Sequence, residues 1–234
     1  MNDFEQLDPR HRPVNHNTVL DPDLWENRRL KSSVRGALLN IAQDFVRFVE
    51  VPFPVLDIVI TGGLANYNYT EHSDIDLHIV TDYASIDCDR AVAELFDSKR
   101  LLYNRRYDIT VANRPVELYV EDQDRPAVSG GSYSILRGRW ITEPSPNLPE
   151  YDPQELEHWV KNWSQILRTA VLSGRRSTLK RAVDLLRQYR RLGLATEAGE
   201  FSIPNLVYKT LRNAQVMQSV QTLLDRWHDQ ELSI

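Results

Sequence analysis

The chain has 234 residues, 41% of them hydrophobic and 26% charged, with a formal net charge of −5. That length suits one large domain or a catalytic domain with a smaller appendage, and the composition is ordinary for a soluble globular protein. A single cysteine, Cys88, excludes an intramolecular disulfide and a cysteine-rich zinc site. The polar opening MNDFEQLDPRHR offers no signal-peptide core, no 18-residue apolar run points to a membrane, and a cytoplasmic location is expected. Charge is uneven: residues 151–234 hold 12 Lys/Arg against 9 Asp/Glu, whereas the first 150 hold 16 against 24. The acidic front half is compatible with carboxylates that need a cation.

In chain order, residues 1–22 are polar, carry Pro9, Pro13 and Pro22, and read as an extended arm without a core of its own. Leu30, Val34, Leu38, Ile41, Phe45 and Phe48 recur at helical spacing up to Val49, and Pro52 and Pro54 end that helix. Leu56–Ile60 reads as a buried strand and Asp76–Val80 as its neighbour, with a short helix expected over Leu64–Tyr69 between them. A helix over Ala91–Leu102 follows, then strands at Asp108–Val111 and Val116–Val120 joined through Asn113-Arg114-Pro115. Ser132–Ile141 reads as a hairpin turning at Arg137-Gly138. The prolines at 144, 146, 149 and 153 mark a linker over 144–153, and helices are expected over 154–172, 176–192 and 204–228, with Gly174 and Gly193 stopping the first two. The expected organisation is thus an arm (1–22), a catalytic domain (23–143), the linker (144–153) and a helical domain (154–234).

The chemistry concentrates in Ile60-Thr61-Gly62-Gly63 and Ser73-Asp74-Ile75-Asp76-Leu77-His78. A glycine pair closes one apolar run, and two aspartates one residue apart open the next. On a strand, positions i and i+2 share a face, so Asp74 and Asp76 set two mutually repelling carboxylates side by side, an arrangement suited to a divalent cation. The glycines free backbone N–H groups to face a phosphate, with help from a following helix. Phosphate cradle and metal clamp together suggest phosphoryl or nucleotidyl transfer. A third acid is needed from a neighbouring strand: Glu117, set in the apolar run Val116–Tyr119, is favoured, and Asp108 competes.

These residues resemble the nucleotidyltransferase superfamily that includes DNA polymerase β, CCA-adding enzymes and antibiotic adenylyltransferases. That pattern is an apolar strand, Gly-Gly or Gly-Ser, about ten residues, Asp-x-Asp, and a later acid; the last is commonly Asp, so Glu117 departs slightly. The run Gly63–His78, together with Val116–Tyr119, Ser132–Trp140 and Gly199–Lys209, is similar to nucleotidyltransferase-like proteins of tailed bacteriophages. The resemblance implies an α+β fold, a mixed sheet flanked by helices and followed by an all-helical C-terminal domain. It implies a metal-dependent enzyme that moves a nucleoside monophosphate from an NTP such as ATP to a hydroxyl, releasing pyrophosphate. Asp74, Asp76 and Glu117 would hold two Mg²⁺ ions, with Mn²⁺ as a substitute, and Gly62, Gly63 and Ser73 would hold the phosphates. A phage-encoded protein would work in the host cytoplasm. The other function is a non-catalytic binding or assembly protein built on the same fold.

Several residues carry two readings. His78 shares the face of the aspartates, although a hydrogen-bonded core histidine is favoured over a metal-site role. Ser73 either touches phosphate or shapes its turn, and Tyr67 and Tyr69 either stack on a base or pack. Tyr133 and Trp140 could rim a nucleotide, with Trp140 more naturally a core anchor. Cys88 is read as a thiol without a role. Residues 175–191 hold seven basic side chains and one acid, Asp184. Arg175, Arg176, Lys180 and Arg181 could contact nucleic acid, but a solvated face on an amphipathic helix is preferred.

Overall fold

The computed structural model describes residues 17–86, 89–124, 129–146 and 149–233. Cys88 and most of the N-terminal arm lie outside them. The chain divides into a sheet-bearing unit, Asn15–Leu148, and a second unit containing Pro149–Ile234.

In the sheet unit, apolar residues alternate with polar ones, and the two sets part to opposite faces. Six strands line up as β5-β6-β4-β3-β7-β8: β3 (Asp57–Thr61), β4 (Ile75–Thr81), β5 (Thr110–Val111), β6 (Arg114–Asp122), β7 (Ser132–Ser134) and β8 (Arg139–Thr142). A separate two-stranded pair, β1 (Trp25–Glu26) and β2 (Arg29–Leu30), precedes them. Within the large sheet β4 and β6 run parallel, while the other neighbours are antiparallel. The parallel pair is allowed by the crossover through α2 (Asp89–Arg106), which packs on β6. Ile58, Ile60, Ile75, Leu77, Ile79 and Leu118 form one core with Val34, Leu38 and Phe45 of α1 (Ser32–Val49) and with Phe96 and Tyr103 of α2. Helix α1 stops at Glu50, which takes a left-handed conformation (φ 63°) two residues before Pro52.

The second unit is all helical: α3 (Pro153–Leu172), α4 (Arg176–Leu194), α5 (Ile203–Asn213) and α6 (Val216–Leu232). Asp152 caps α3, its carboxylate accepting from the N–H groups of Gln154 (2.8 Å) and Glu155 (3.4 Å). Leu167, Leu179, Leu186, Leu206, Val207 and Leu211 are the centre of its core. The α+β fold with a mixed sheet, helices and a helical C-terminal region is therefore as expected.

Four local expectations change. The helix over Leu64–Tyr69 is a single 3₁₀ turn, Gly63–Ala65. The chain after it is held by distant partners instead: Trp25 Nε1 donates to Leu64 O (2.8 Å), and Asn17 Nδ2 to the carbonyls of Tyr67 (3.1 Å) and Tyr69 (2.9 Å). Residues 17–22, placed in an arm by their polarity, join the sheet unit: Leu20 is buried, and Asp21 is buried against Arg114 (2.7 Å). The last long helix breaks at Ala214-Gln215, where Gln215 adopts φ 59°. Gly193 does not stop α4 but lies within it, where a Cβ would press on Ser202 Oγ at 2.6 Å and on Pro204 Cβ at 2.7 Å. Gly174 (φ 64°), by contrast, follows the end of α3 as expected. Among the described residues, no helix is long and apolar enough to cross a membrane.

Candidate active site

The face of the sheet that bears Asp76 is built by register. Thr61 on β3 lies opposite Asp76 on β4, and Asp76 pairs with Glu117 on the parallel strand β6. Strand alternation then puts Thr61, Asp76, His78, Glu117, Tyr119 and Glu121 on one side, while Ile60, Leu77 and Leu118 go to the core. Asp74, Asp76 and Glu117 each bring a carboxylate oxygen within 4.8 Å of the others; the aspartates are half-buried and Glu117 is exposed. Of the two competing acids, Asp108 lies exposed outside this group, ahead of β5.

Tyr119 has a part that the sequence reading did not give it. Its hydroxyl donates to Glu117 Oε2 at 2.6 Å. Burial, then the negative charges of Glu117 and Asp76, the bond to Glu117 and the charge of Asp74 push the phenol pKa up, so it stays a donor at neutral pH. The ring stacks on His78 (centroids 4.9 Å apart, 21° between planes). An aromatic residue two places after Glu117 was the available signal, because such a spacing keeps both side chains on one face. His78 is the hydrogen-bonded core histidine: Nδ1 lies 2.9 Å from Glu121 Oε2 and Nε2 3.1 Å from Thr61 Oγ1. A carboxylate only accepts, so Nδ1 carries the proton.

The two glycines differ. Gly62 has φ 76°, and a Cβ there would collide with the Asp76 carboxylate. Its N–H donates to Ser129 Oγ at 3.2 Å. Gly63 meets no such obstacle; a Cβ would find Asn68 Oδ1 at 3.4 Å and Ser73 Oγ at 3.5 Å. Only one 3₁₀ turn follows, so a helix dipole adds little to phosphate attraction here. Ser73 Oγ accepts from the Thr70 N–H at 2.9 Å, a bond that shapes the turn before Asp74 and leaves the hydroxyl its own proton to donate. Arg114 donates to the carbonyls of Thr70 and Glu71, both at 2.8 Å, so the loop before Asp74 is anchored to the start of β6.

The aromatic candidates pack rather than line the site. Tyr67 is buried, and the Tyr69 hydroxyl donates to Val19 O (3.3 Å). Tyr133 is buried and meets Trp25 edge-on at 5.1 Å, while Trp140 stacks on Trp25 at 4.7 Å. On α4, Leu179, Val183 and Leu186 are buried, as the amphipathic reading requires. Arg176 pairs with Glu231 (3.0 Å) and Arg190 bonds Asn205 (3.0 Å), whereas Arg175, Lys180 and Arg181 are exposed.

An all-oxygen donor set suits a hard cation rather than zinc or copper. Oxygens on opposite sides of one Mg²⁺ are about 4.2 Å apart, so a cluster spanning 4.8 Å needs little closure to share ions. The three acids fit a divalent metal.

No family model matches the chain, and no curated protein matches it. Among solved structures, a STING-associated CdnE c-di-GMP synthase from Capnocytophaga granulosa aligns at 12% identity over 96% of this chain and 98% of that one, with a TM-score of 0.24.

Proposed function

We propose that the protein is a metal-dependent nucleotidyltransferase that moves a nucleoside monophosphate from an NTP to a hydroxyl and releases pyrophosphate. The observation that carries this reading is the convergence of Asp74, just ahead of β4, with Asp76 on β4 and Glu117 on the parallel strand β6. Mg²⁺, or Mn²⁺ in its place, would neutralise the phosphates and lower the pKa of the attacking hydroxyl when bound. Asp74 and Asp76 would hold it, together with Glu117, whose carboxylate Tyr119 fixes by a hydrogen bond. Gly62 keeps room for Asp76, and Gly63 leaves a bare stretch of backbone for the β- and γ-phosphates beside Ser73. The acceptor oxygen attacks the α-phosphorus and loses its proton to solvent. The bond to the bridging oxygen breaks, and pyrophosphate leaves with the electron pair. Rate enhancement comes from positioning and charge neutralisation, without a covalent enzyme intermediate.

The test is Mg²⁺-dependent pyrophosphate release from each of the four NTPs, with wild type and an Asp74→Asn/Asp76→Asn double variant whose fold is checked by circular dichroism. Release by wild type alone supports the reading. Equal release by both proteins, or none by wild type with any NTP and a broad acceptor set, rejects it in favour of a non-catalytic protein of this fold. The acceptor set includes small molecules, protein side chains and RNA ends.

A further inference from the structure

A solvated helix face laced with ion pairs sets each cation three or four residues from an acid. Helix α4 departs from that pattern, with six Lys/Arg against one acid, Asp184. Asp184 lies 3.9 Å from Arg187, a loose contact on an exposed face, and Arg176 is taken by Glu231 of α6 at 3.0 Å. Asp225 of α6 is engaged by Gln221 Nε2 at 2.9 Å. Lys180, Arg181 and Arg191 are exposed, and among the described residues no acid forms an ion pair with them.

Helical geometry sets three of the cations in a row. Lys180, Arg187 and Arg191 are spaced by seven and then four residues, so they fall within about 40° of one another around the axis and span about 16 Å along it. Leu179, Val183 and Leu186 face the core of the helical unit, which leaves the row on the outer side. Arg187 and Arg191 are like charges one turn apart, a spacing that weakens a helix. An anion laid along the row would relieve that repulsion.

The row also indicates which anion. A nucleic-acid duplex carries one phosphate per 3.4 Å of each strand, so a row of about 16 Å faces about five phosphates. A membrane surface fits less well, because the apolar side of α4 that would enter it is already used in the core. A protein partner fits less well too, because interface centres are apolar and poor in charge. The exposed Leu185 and Leu192 stand about 120–140° round the axis from the middle of the row, too far to give it such a centre.

We propose that the outer side of α4 is a contact for the phosphate backbone of a nucleic acid. Lys180, Arg187 and Arg191 carry it, with Arg181 on its shoulder and Asp184 holding the affinity down. Contacts of this kind neutralise phosphates and do not read bases, so binding is independent of sequence. The contact is separate from nucleotidyl transfer and does not depend on it.

Fluorescence anisotropy tests it on the full chain, with a labelled oligonucleotide of mixed sequence offered as single-stranded RNA, single-stranded DNA and duplex DNA. Wild type should bind at least one of them, with log K falling against log salt at a slope of about −2 to −3, the value for three phosphate contacts. Lys180→Gln/Arg187→Gln/Arg191→Gln should keep the helical signal in circular dichroism, lose affinity at least about tenfold at low salt and flatten the slope by about 2. Asp184→Asn, which leaves every cation in place, should tighten binding roughly two- to fivefold. No binding to any of the three, an unchanged slope and affinity in the triple variant, weaker binding by Asp184→Asn, or equally tight binding of polyglutamate of matched charge overturns the proposal.

Discussion

The two faces of one sheet have opposite chemistry although they are made by the same strands. On the helix side, Ile75, Leu77, Ile79 and Leu118 have lost all or nearly all contact with water. On the other side, Asp76, His78, Glu117, Tyr119 and Glu121 alternate with them along β4 and β6. The first face stabilises the fold by removing apolar area from water. The second holds like charges close together, which opposes folding unless hydrogen bonds or a cation offset the repulsion. One residue of register separates the two, so a slip in the β4–β6 pairing would exchange stability for function throughout.

Adjacent substitutions should divide along this line. Asp76→Asn should lower pyrophosphate release about 10³-fold with an unfolding midpoint equal to or above wild type, because a repelling charge is gone. Leu77→Ala, its neighbour in sequence, should cost about 2–5 kcal/mol of stability, measured by denaturant unfolding, with catalysis per folded molecule retained. If Asp76→Asn instead unfolds the sheet unit, the acids are structural and the contrast between faces fails.

The glycine pair sharpens the comparison. Gly62→Ala should both destabilise the protein, by about 1–3 kcal/mol for the positive φ, and displace the Asp76 carboxylate. Gly63→Ala should melt within about 1 kcal/mol of wild type yet raise the KM for NTP, as steady-state kinetics would show. A Gly63→Ala enzyme with unchanged KM would remove Gly63 from the phosphate site.

Tyr119→Phe keeps the ring stacked on His78 and deletes the hydroxyl. It should lower kcat/KM about tenfold and raise the Mg²⁺ concentration needed for half-maximal rate, for a stability change of about 1 kcal/mol. The smallest effect concerns Tyr83, which packs near Phe96 and donates to Val120 O. Burial, then Asp97, Asp122 and Glu121, push its pKa from 10.0 up to about 12. The unfolded chain ionises first as pH rises, so stability should fall between pH 10 and about 12, and Tyr83→Phe should flatten that decline in thermal melts.

Much of this contrast was legible in the residues. Two-residue alternation fixed which side chains of Ile75–Val80 face the core, and an acid within an apolar strand singled out Glu117. What separated Glu117 from Asp108 was pairing register, which is set by the whole sheet. The loop from Leu64 to Tyr69 read as helix because its bonds go to Trp25 and Asn17, about forty to fifty residues away, and local periodicity carries no trace of them. Burial of Leu20 and Asp21 escaped for the same reason, since Asp21 finds its counter-ion 93 residues later. The break at Gln215 has only Asn213, two residues earlier, as a local signal, and the left-handed position itself is taken by a glutamine.

Arg114 has a consequence of its own. It stands at the root of the strand that carries Glu117 and grips the backbone just ahead of Asp74, with Asp21 steadying its other arm. It therefore acts as a calliper, setting how far apart the jaws of the acidic cluster can stand without contributing an oxygen. Any affinity of the three acids for a metal would thus depend partly on a guanidinium outside them, and replacing it with lysine, which lacks the planar fork, would slacken the cluster while leaving each carboxylate in the sequence.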